Sequence, residues 1–221
     1  MTTQSRFGRL FKRDVRDDRY SMRAMGVGKP TERTERYWND ATWVGDQGNY
    51  PRCVGFAWAH WLETGPVTHP GLDAPAVDPV RIYEEAQKVD EWPGEGYAGT
   101  SVRAGAKVLR SLGFISSYLW AHKVSEIVYA LCEVGPVVVG TNWHAGMDSP
   151  KPNGRIRPTG PVLGGHAYLL SGVDRKKKRL RIRNSWGLEW GKEGRAFITF
   201  KDFKKLLANR GEACLAVEIA H

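Results

Sequence analysis

The stretch Gln47-Gly48-Asn49-Tyr50-Pro51-Arg52-Cys53, running into Val54-Gly55-Phe56-Ala57-Trp58-Ala59-His60-Trp61-Leu62-Glu63, decides how this chain is read. Val54, Phe56, Ala57, Trp58, Trp61 and Leu62 predict a mostly buried helix from Cys53 to Glu63. Pro51 suits the approach to its first turn. Thr64-Gly65-Pro66 stops it, since glycine permits the exit and proline cannot continue a helix. A cysteine opening a helix faces unsatisfied backbone N–H groups and the positive end of the helix dipole, which favour its thiolate. Gln47, six residues earlier, supplies an amide donor for a negative oxygen formed beside that thiolate.

Two later segments complete a reactive set. Gly164-Gly165-His166-Ala167 offers an imidazole base 113 residues after Cys53, so only the fold can bring the two together. Asn184-Ser185-Trp186-Gly187 begins 18 residues further on. It offers Asn184 to orient the second ring nitrogen without adding a full charge, and Trp186 to shield that contact from water. Taken singly, each residue has a plain reading: a solvated glutamine, a core cysteine, a turn histidine, a capping asparagine. Their joint occurrence describes nucleophile, base, orienting group and oxyanion donor.

At 221 residues the chain can bury one substantial core, or one core divided into two lobes that share a cleft. Nine tryptophans and 41% hydrophobic residues exclude disorder throughout. There is no apolar run of about 18 residues, so no membrane span is expected. The Met1-Thr2-Thr3-Gln4-Ser5 start lacks the apolar stretch of a secretory signal, which points to a cytoplasmic protein or one delivered by a non-classical route. Cys53, Cys132 and Cys214 show no metal-ligand spacing, and Cys132 and Cys214 read as buried thiols. No metal site and no nucleotide cofactor motif is expected.

The net charge of +9 is uneven: residues 1–37 hold ten Lys or Arg against five acids, and Arg175-Lys176-Lys177-Lys178-Arg179 with Arg181 and Arg183 forms a second basic block. Such charge can attract nucleic acid or an acidic protein surface. In the second block Leu180, Ile182 and Asn184 alternate with arginines, so it reads first as the turn and outer edge of a hairpin.

Residues 1–40 read as a basic, extended leader with few apolar anchors (Phe7, Leu10, Phe11, Tyr20, Met22, Trp38), wrapping on the domain or partly disordered. The leader is short for an inhibitory segment with its own helical fold, so regulation by such a unit is not expected. Residues 41–221 form one catalytic domain. Further helices are predicted over Val80–Val89, from Thr100 or Ser101 to Gly113, and over 124–133, so that residues 50–133 make a mainly helical lobe. Strands are predicted at Val137–Val139, Leu169–Val173, Leu180–Arg183, Ala196–Phe200 and Leu215–Ile219, giving an antiparallel or barrel-like lobe over 134–221.

These residues resemble the papain-like cysteine peptidases over roughly residues 40–220, most specifically in Ile182-Arg183-Asn184-Ser185-Trp186-Gly187-Leu188-Glu189-Trp190-Gly191-Lys192-Glu193-Gly194. The resemblance implies an α+β fold of two lobes, a helical left lobe and an antiparallel β-barrel-like right lobe with the cleft between them. It also implies catalytic roles for Cys53, His166, Asn184 and Gln47, support from Trp186, and a backbone wall for an extended peptide at Glu95–Thr100, including Gly99 and Thr100. Trp143 and His144 are expected to border the cleft, with a packed aromatic and a surface histidine as the other reading; His60 is expected to be packing or surface. Two departures stand out: Tyr50 replaces a common disulfide cysteine, and Val54 replaces the tryptophan that commonly follows the nucleophile. Thr100-Ser101-Val102-Arg103 looks closer to compact bacterial or viral members than to animal lysosomal ones.

The function expected is hydrolysis of peptide bonds in a peptide or protein substrate through a Cys53 thioester. The same acyl-enzyme serves a transpeptidase, an isopeptidase or a peptidoglycan-peptide amidase. A catalytically inactive binding protein on this scaffold, using the basic segments, is the non-enzyme reading.

Overall fold

The structure, a computed structural model, describes residues 5–23, 31–38, 43–66 and 75–218. In chain order its elements are strand β1 (Glu35–Tyr37), helices α1 (Cys53–Thr64), α2 (Pro79–Val89) and α3 (Val102–Ser111), strand β2 (Ile115–Trp120) and helix α4 (Val124–Tyr129). There follow a π-helical turn over Ala130–Val134, strands β3 (Val137–His144), β4 (Val162–Asp174), β5 (Arg179–Arg183) and β6 (Arg195–Thr199), helix α5 (Phe200–Ala208) and strand β7 (Glu212–Glu218). The predicted helices and strands recur, most with small boundary shifts, while β3 runs on to His144 and β4 starts already at Val162; Ile219 lies outside the described residues.

Every residue of α1 is buried, as its all-round apolar pattern requires. Asp78 accepts a hydrogen bond from Val80 N–H ahead of Pro79 at the start of α2, and Ser101 caps α3 by accepting from Ala104 N–H. The approach of α1 to α2 is close enough that a Cβ on Gly55 would stand 2.0 Å from the Pro79 carbonyl oxygen.

The sheet is antiparallel, in the order β2-β7-β3-β4-β5-β6, with β1 pairing the far end of the long β4 through Tyr37↔Gly172 and Glu35↔Asp174. Strand alternation divides the interior in two. Val138, Ala167, Leu169, Cys214 and Ala216 pack with α1, α2 and α3. Val137, Val139, Tyr168, Leu170, Ala213 and Leu215 face the opposite cluster with Trp143, Trp186, Trp190, Phe203 and Leu206.

Two expectations are corrected, and one strand is added. The sheet is not a barrel: its outer strands β2 and β6 do not pair with each other. Irregular segments cover both edges instead, Met22 N–H donating to Trp120 O at 2.9 Å beside β2, and Ile156 N–H donating to Phe197 O at 2.9 Å beside β6. The first half, mainly helical as expected, also sends out a strand the pattern did not predict, β2, which pairs with β7 through Tyr118↔Ala216 and Trp120↔Cys214. Finally, the strand predicted to reach Phe200 stops at Thr199, whose hydroxyl caps α5 by accepting from Asp202 N–H at 3.2 Å.

The second basic block is the β4–β5 turn and the β5 strand. Much of its charge is engaged within the chain: Arg175 donates to the carbonyls of Thr31 and Arg33, Arg179 lies over the Phe197 ring, and Arg181 donates to Trp38 O. Buried Arg183 reaches Thr64 Oγ1 at 2.6 Å and the Trp43 carbonyl, fastening β5 to the end of α1. These contacts give no support to an acidic or nucleic-acid partner at this block. Among the described residues no helix is long and apolar enough to cross a membrane, and Cys53, Cys132 and Cys214 are free and buried.

Replacing Gly55 by Ala sets a methyl group against backbone that cannot swing aside. The strain should outweigh the helix-propensity gain of about 1 kcal/mol and destabilise the chain by about 2 kcal/mol net. Urea denaturation of the variant checks this, with a lowered midpoint at unchanged slope as the expected outcome.

Candidate active site

Cys53 opens α1, which packs directly on β4, the strand that carries His166. The backbone N–H groups of Ala167, Gly8 and Val54 act on the Cys53 thiol and favour its charged form. His166 is fully buried and its Nε2–H donates to Asn184 Oδ1 at 2.7 Å. That bond leaves Nδ1 as the basic lone pair of the neutral ring, and Nδ1 is buried with no hydrogen-bond partner among the described residues. Asn184 is held in turn by its own N–H to Gly194 O at 2.9 Å and by Ser185 N–H donating to its side-chain oxygen at 2.9 Å.

Aromatic rings wall the histidine. Trp186 lies over it at a centroid distance of 4.8 Å, and Trp143 meets it edge-on at 4.8 Å. Trp143 is fully buried, with its indole N–H donating to Asp148 at 2.7 Å. His144 stays beside the Gly160 carbonyl, and buried His60 accepts from Gly45 N–H at 3.1 Å.

Gln47 is oriented at both ends. Its Oε1 accepts from the Ser185 hydroxyl at 2.6 Å, and its Nε2 donates to the carbonyls of Tyr50 at 2.6 Å and Arg6 at 2.9 Å.

The Arg6 carbonyl belongs to the leader, and the leader threads the space between the two halves of the site. Thr100 N–H donates to Gly8 O at 2.9 Å, Leu10 N–H donates to Thr100 O at 2.9 Å, and Arg9 N–H donates to Gly165 O at 3.0 Å on the opposite wall. Arg9 and Thr100 form a parallel bridge. Phe7 stands edge-on to both His166 and Trp186 at 6.1 Å, and the Arg6 guanidinium stacks on Trp186 at 3.6 Å. The fit leaves no slack: a Cβ on Gly8 would lie 1.9 Å from the Pro51 carbonyl oxygen. Gly99, with φ +99°, meets the leader from the other side, where a Cβ would come within 2.4 Å of Gly8 O.

Thus His166, Asn184 and Trp186 stand together, Gln47 joins them through Ser185, and Cys53 lies at the start of the helix packed on the strand that carries His166, with no hydrogen bond between thiol and imidazole among the described residues; Gly99 with Thr100 lines the path of an extended strand. Phe7 was expected only as an anchor of the leader, and Gly8 and Arg9 carried no expectation at all. Their signal was a glycine between apolar and basic residues, Phe7-Gly8-Arg9-Leu10, in a segment otherwise poor in structure-forming pattern.

The leader also sets the electrostatics. Burial pushes the Cys53 thiol above its usual range, and the backbone donors and the Arg9 charge offset this only in part. Burial likewise drives His166 from 6.5 to about 3, against the Asn184 hydrogen bond and with help from the Arg6 charge. Thiol and imidazole are therefore both neutral in this closed state.

No family profile and no curated protein matches the chain. Solved structures do match. Xylellain, a cysteine protease from Xylella fastidiosa, is 19% identical at a TM-score of 0.73, over 99% of this chain and 98% of that one. Digestive procathepsin L 3 of Tenebrio molitor larval midgut is 14% identical at 0.68, over 97% and 77%. The bromelain protease of Ananas comosus is 15% identical at 0.60, over 85% and 100%. The chain has the fold of the papain-like cysteine proteases, and these likenesses span bacterial, insect and plant proteins.

Two outcomes follow from the closed site. Gly8→Val should expel the leader from the cleft, and the rate at which a small epoxide labels Cys53 should rise by about tenfold or more, a factor of ten corresponding to about 1.4 kcal/mol; peptide mapping by mass spectrometry reads it. The second concerns acid. Buried His166 and His60 both have folded values below 6.5, so the unfolded chain takes up their protons first. Their stabilisation is full above about pH 6.5 and is lost as pH falls below it, at up to about 1.4 kcal/mol per pH unit for each ring. The urea midpoint should therefore fall between about pH 6.5 and 4, and His166→Gln should flatten that fall.

Proposed function

We propose that this chain is a cysteine peptidase in which Cys53 attacks a peptide carbonyl, His166 moves the proton, Asn184 orients His166 and Gln47 steadies the oxyanion. The observation that carries this reading is the leader itself. A peptide strand passes against Pro51, two residues before Cys53, paired to Thr100 and Gly165, with its Arg6 carbonyl held by the Gln47 amide at 2.9 Å. A cleft that binds its own backbone this way suits an extended peptide added as a strand.

The steps follow from the groups present. Once a substrate replaces the leader, water and substrate dipoles relieve the burial that holds Cys53 and His166 neutral. The thiol proton passes to His166 Nδ1, and the sulfur attacks the carbonyl carbon. Negative charge gathers on the carbonyl oxygen, where Gln47 Nε2 and the Cys53 backbone N–H donate. As the C–N bond breaks, His166 returns the proton to the leaving amine. Water then adds to the thioester, giving up a proton to His166, and the acid departs as the thiol is restored. Asn184 keeps Nε2–H engaged throughout, so the ring presents Nδ1 at each transfer. Trp186 and Trp143 exclude water from that bond, which strengthens it.

The three free cysteines and the Thr100-Ser101-Val102-Arg103 turn into α3 are in keeping with a compact bacterial or viral member of this class. Roles for Gly99 and Thr100 in substrate binding rest on their contacts with the leader. Residues 1–40 are read here as a leader and 41–221 as the catalytic unit.

In a chain freed by Gly8→Val, Cys53→Ala should abolish turnover of a fluorogenic peptide. Gln47→Ala should lower kcat by about 100-fold, the usual scale for one oxyanion donor, with KM changed far less. Steady-state kinetics reads both, and turnover that survives Cys53→Ala contradicts the assignment.

A further inference from the structure

The leader leaves one side chain in a pocket that the mechanism does not use. Arg9 sits between the two walls of the cleft, one residue from the Gly8 backbone that reaches Cys53, and its side chain is 2% exposed. Its Nε donates to Glu212 Oε1 at 2.7 Å, and its terminal nitrogen donates to the Arg210 carbonyl at 2.6 Å. Gly140 forms the side of this pocket: a Cβ there would stand 2.6 Å from Arg9 Nε and 2.7 Å from Glu212 Oε1, so only a bare backbone lets a guanidinium in. Phe11 covers it, with its ring 4.7 Å from the Arg9 guanidinium carbon.

Glu212 is the first residue of β7 and its side chain is 10% exposed. Burial pushes its carboxyl upward, and the charge and hydrogen bond of Arg9 pull it back. A carboxylate in such a site, with its cation withdrawn, is an unpaired buried charge; whatever strand replaces the leader is selected for restoring the pair. Because the occupant is held by backbone pairing to Thr100 and Gly165, each strand that binds there delivers one side chain to this pocket.

We propose that Glu212 is a specificity-determining residue, the base of a side-chain pocket that selects peptides carrying arginine or lysine, and that Arg9 is its built-in occupant. The inference rests on the peptidase reading. It deepens that reading by naming the substrate class: an extended peptide with one basic side chain near the bond cut. It also makes the leader a competitor of substrate through a single ion pair. Arginine is the better ligand, since its forked donors satisfy Glu212 and the Arg210 carbonyl together, whereas a lysine ammonium reaches them as a point charge.

The test uses the full chain carrying Arg9→Ala, with and without Glu212→Gln. A mixed peptide library is digested and the cut sites are mapped by mass spectrometry, while epoxide labelling of Cys53 is followed separately. Labelling should be faster in Arg9→Ala than in the unaltered chain. Cut sites should be enriched in Arg, then Lys, at one fixed position by about tenfold over Leu, and Glu212→Gln should reduce that enrichment to near one. Cleavage with no basic enrichment, or with enrichment unchanged by Glu212→Gln, overturns the pocket while leaving the peptidase reading intact. Labelling unchanged by Arg9→Ala overturns Arg9 as the occupant that holds the leader. Cys53 labelled but no peptide cut in either variant overturns the peptidase reading and the pocket with it. Since Glu212→Gln preserves shape, labelling of Cys53 in that variant also reports that its site is folded.

Discussion

The contact of the amino end of α1 with β4 is the constraint on which the rest of this structure depends. It sets Cys53 against the backbone of Ala167, next to His166, although the two segments lie far apart in the chain. The helix can go there because all of its surface is buried and Gly55 lets α2 close over it. The strand can receive it because Ala167 and Leu169 face the helices while His166 and Tyr168 face the aromatic cluster. A one-residue slip of β4 against β3 would exchange those faces and take His166 out of the aromatic wall formed by Trp143 and Trp186. Arg183 braces the same junction from beneath, tying β5 to Thr64 at the far end of α1.

On that frame the leader acts as both cover and imprint. Its backbone engages Thr100 and Gly165, its Arg6 carbonyl engages Gln47, and Phe7 screens His166. The same burial that excludes water leaves thiol and imidazole neutral. On the proposed reading this desolvation keeps Cys53 and His166 quiet, without any change in the bond that orients His166. What the leader satisfies in the cleft is extended backbone pairing, a carbonyl at Gln47 and a cation at Glu212, and the proposed substrate is drawn from these contacts.

Much of this was legible in the sequence, and the exceptions have physical causes. The Gln47 to Cys53 stretch, the glycines before His166 and the Asn184-Ser185-Trp186-Gly187 segment carry their chemistry in residue type and spacing, so the candidate site could be named before any fold was known. Helix α1 was legible from its apolar run. The barrel-like closure was not, because strand pattern says which residues alternate but not what covers a sheet edge; here Met22 and Ile156 do so. Strand β2 was hidden by the polar Ser116-Ser117 in Ile115–Trp120, and α5 by the β-branched approach to Phe200. The leader's path was hidden for a different reason. Phe7, Gly8 and Arg9 have no periodicity of their own, and their conformation is dictated by the cleft they fill.

The measurement that tests the central claim most directly is the trapping of the acyl intermediate. A chain freed of its leader contact by Gly8→Val is mixed with a peptide ester, quenched in acid during turnover and mapped by mass spectrometry. The mass of the acyl fragment should appear on Cys53 and on no other residue, since the thioester forms there before water is admitted. Product accumulating while Cys53 stays unmodified, or an acyl group found on a different side chain, would contradict it.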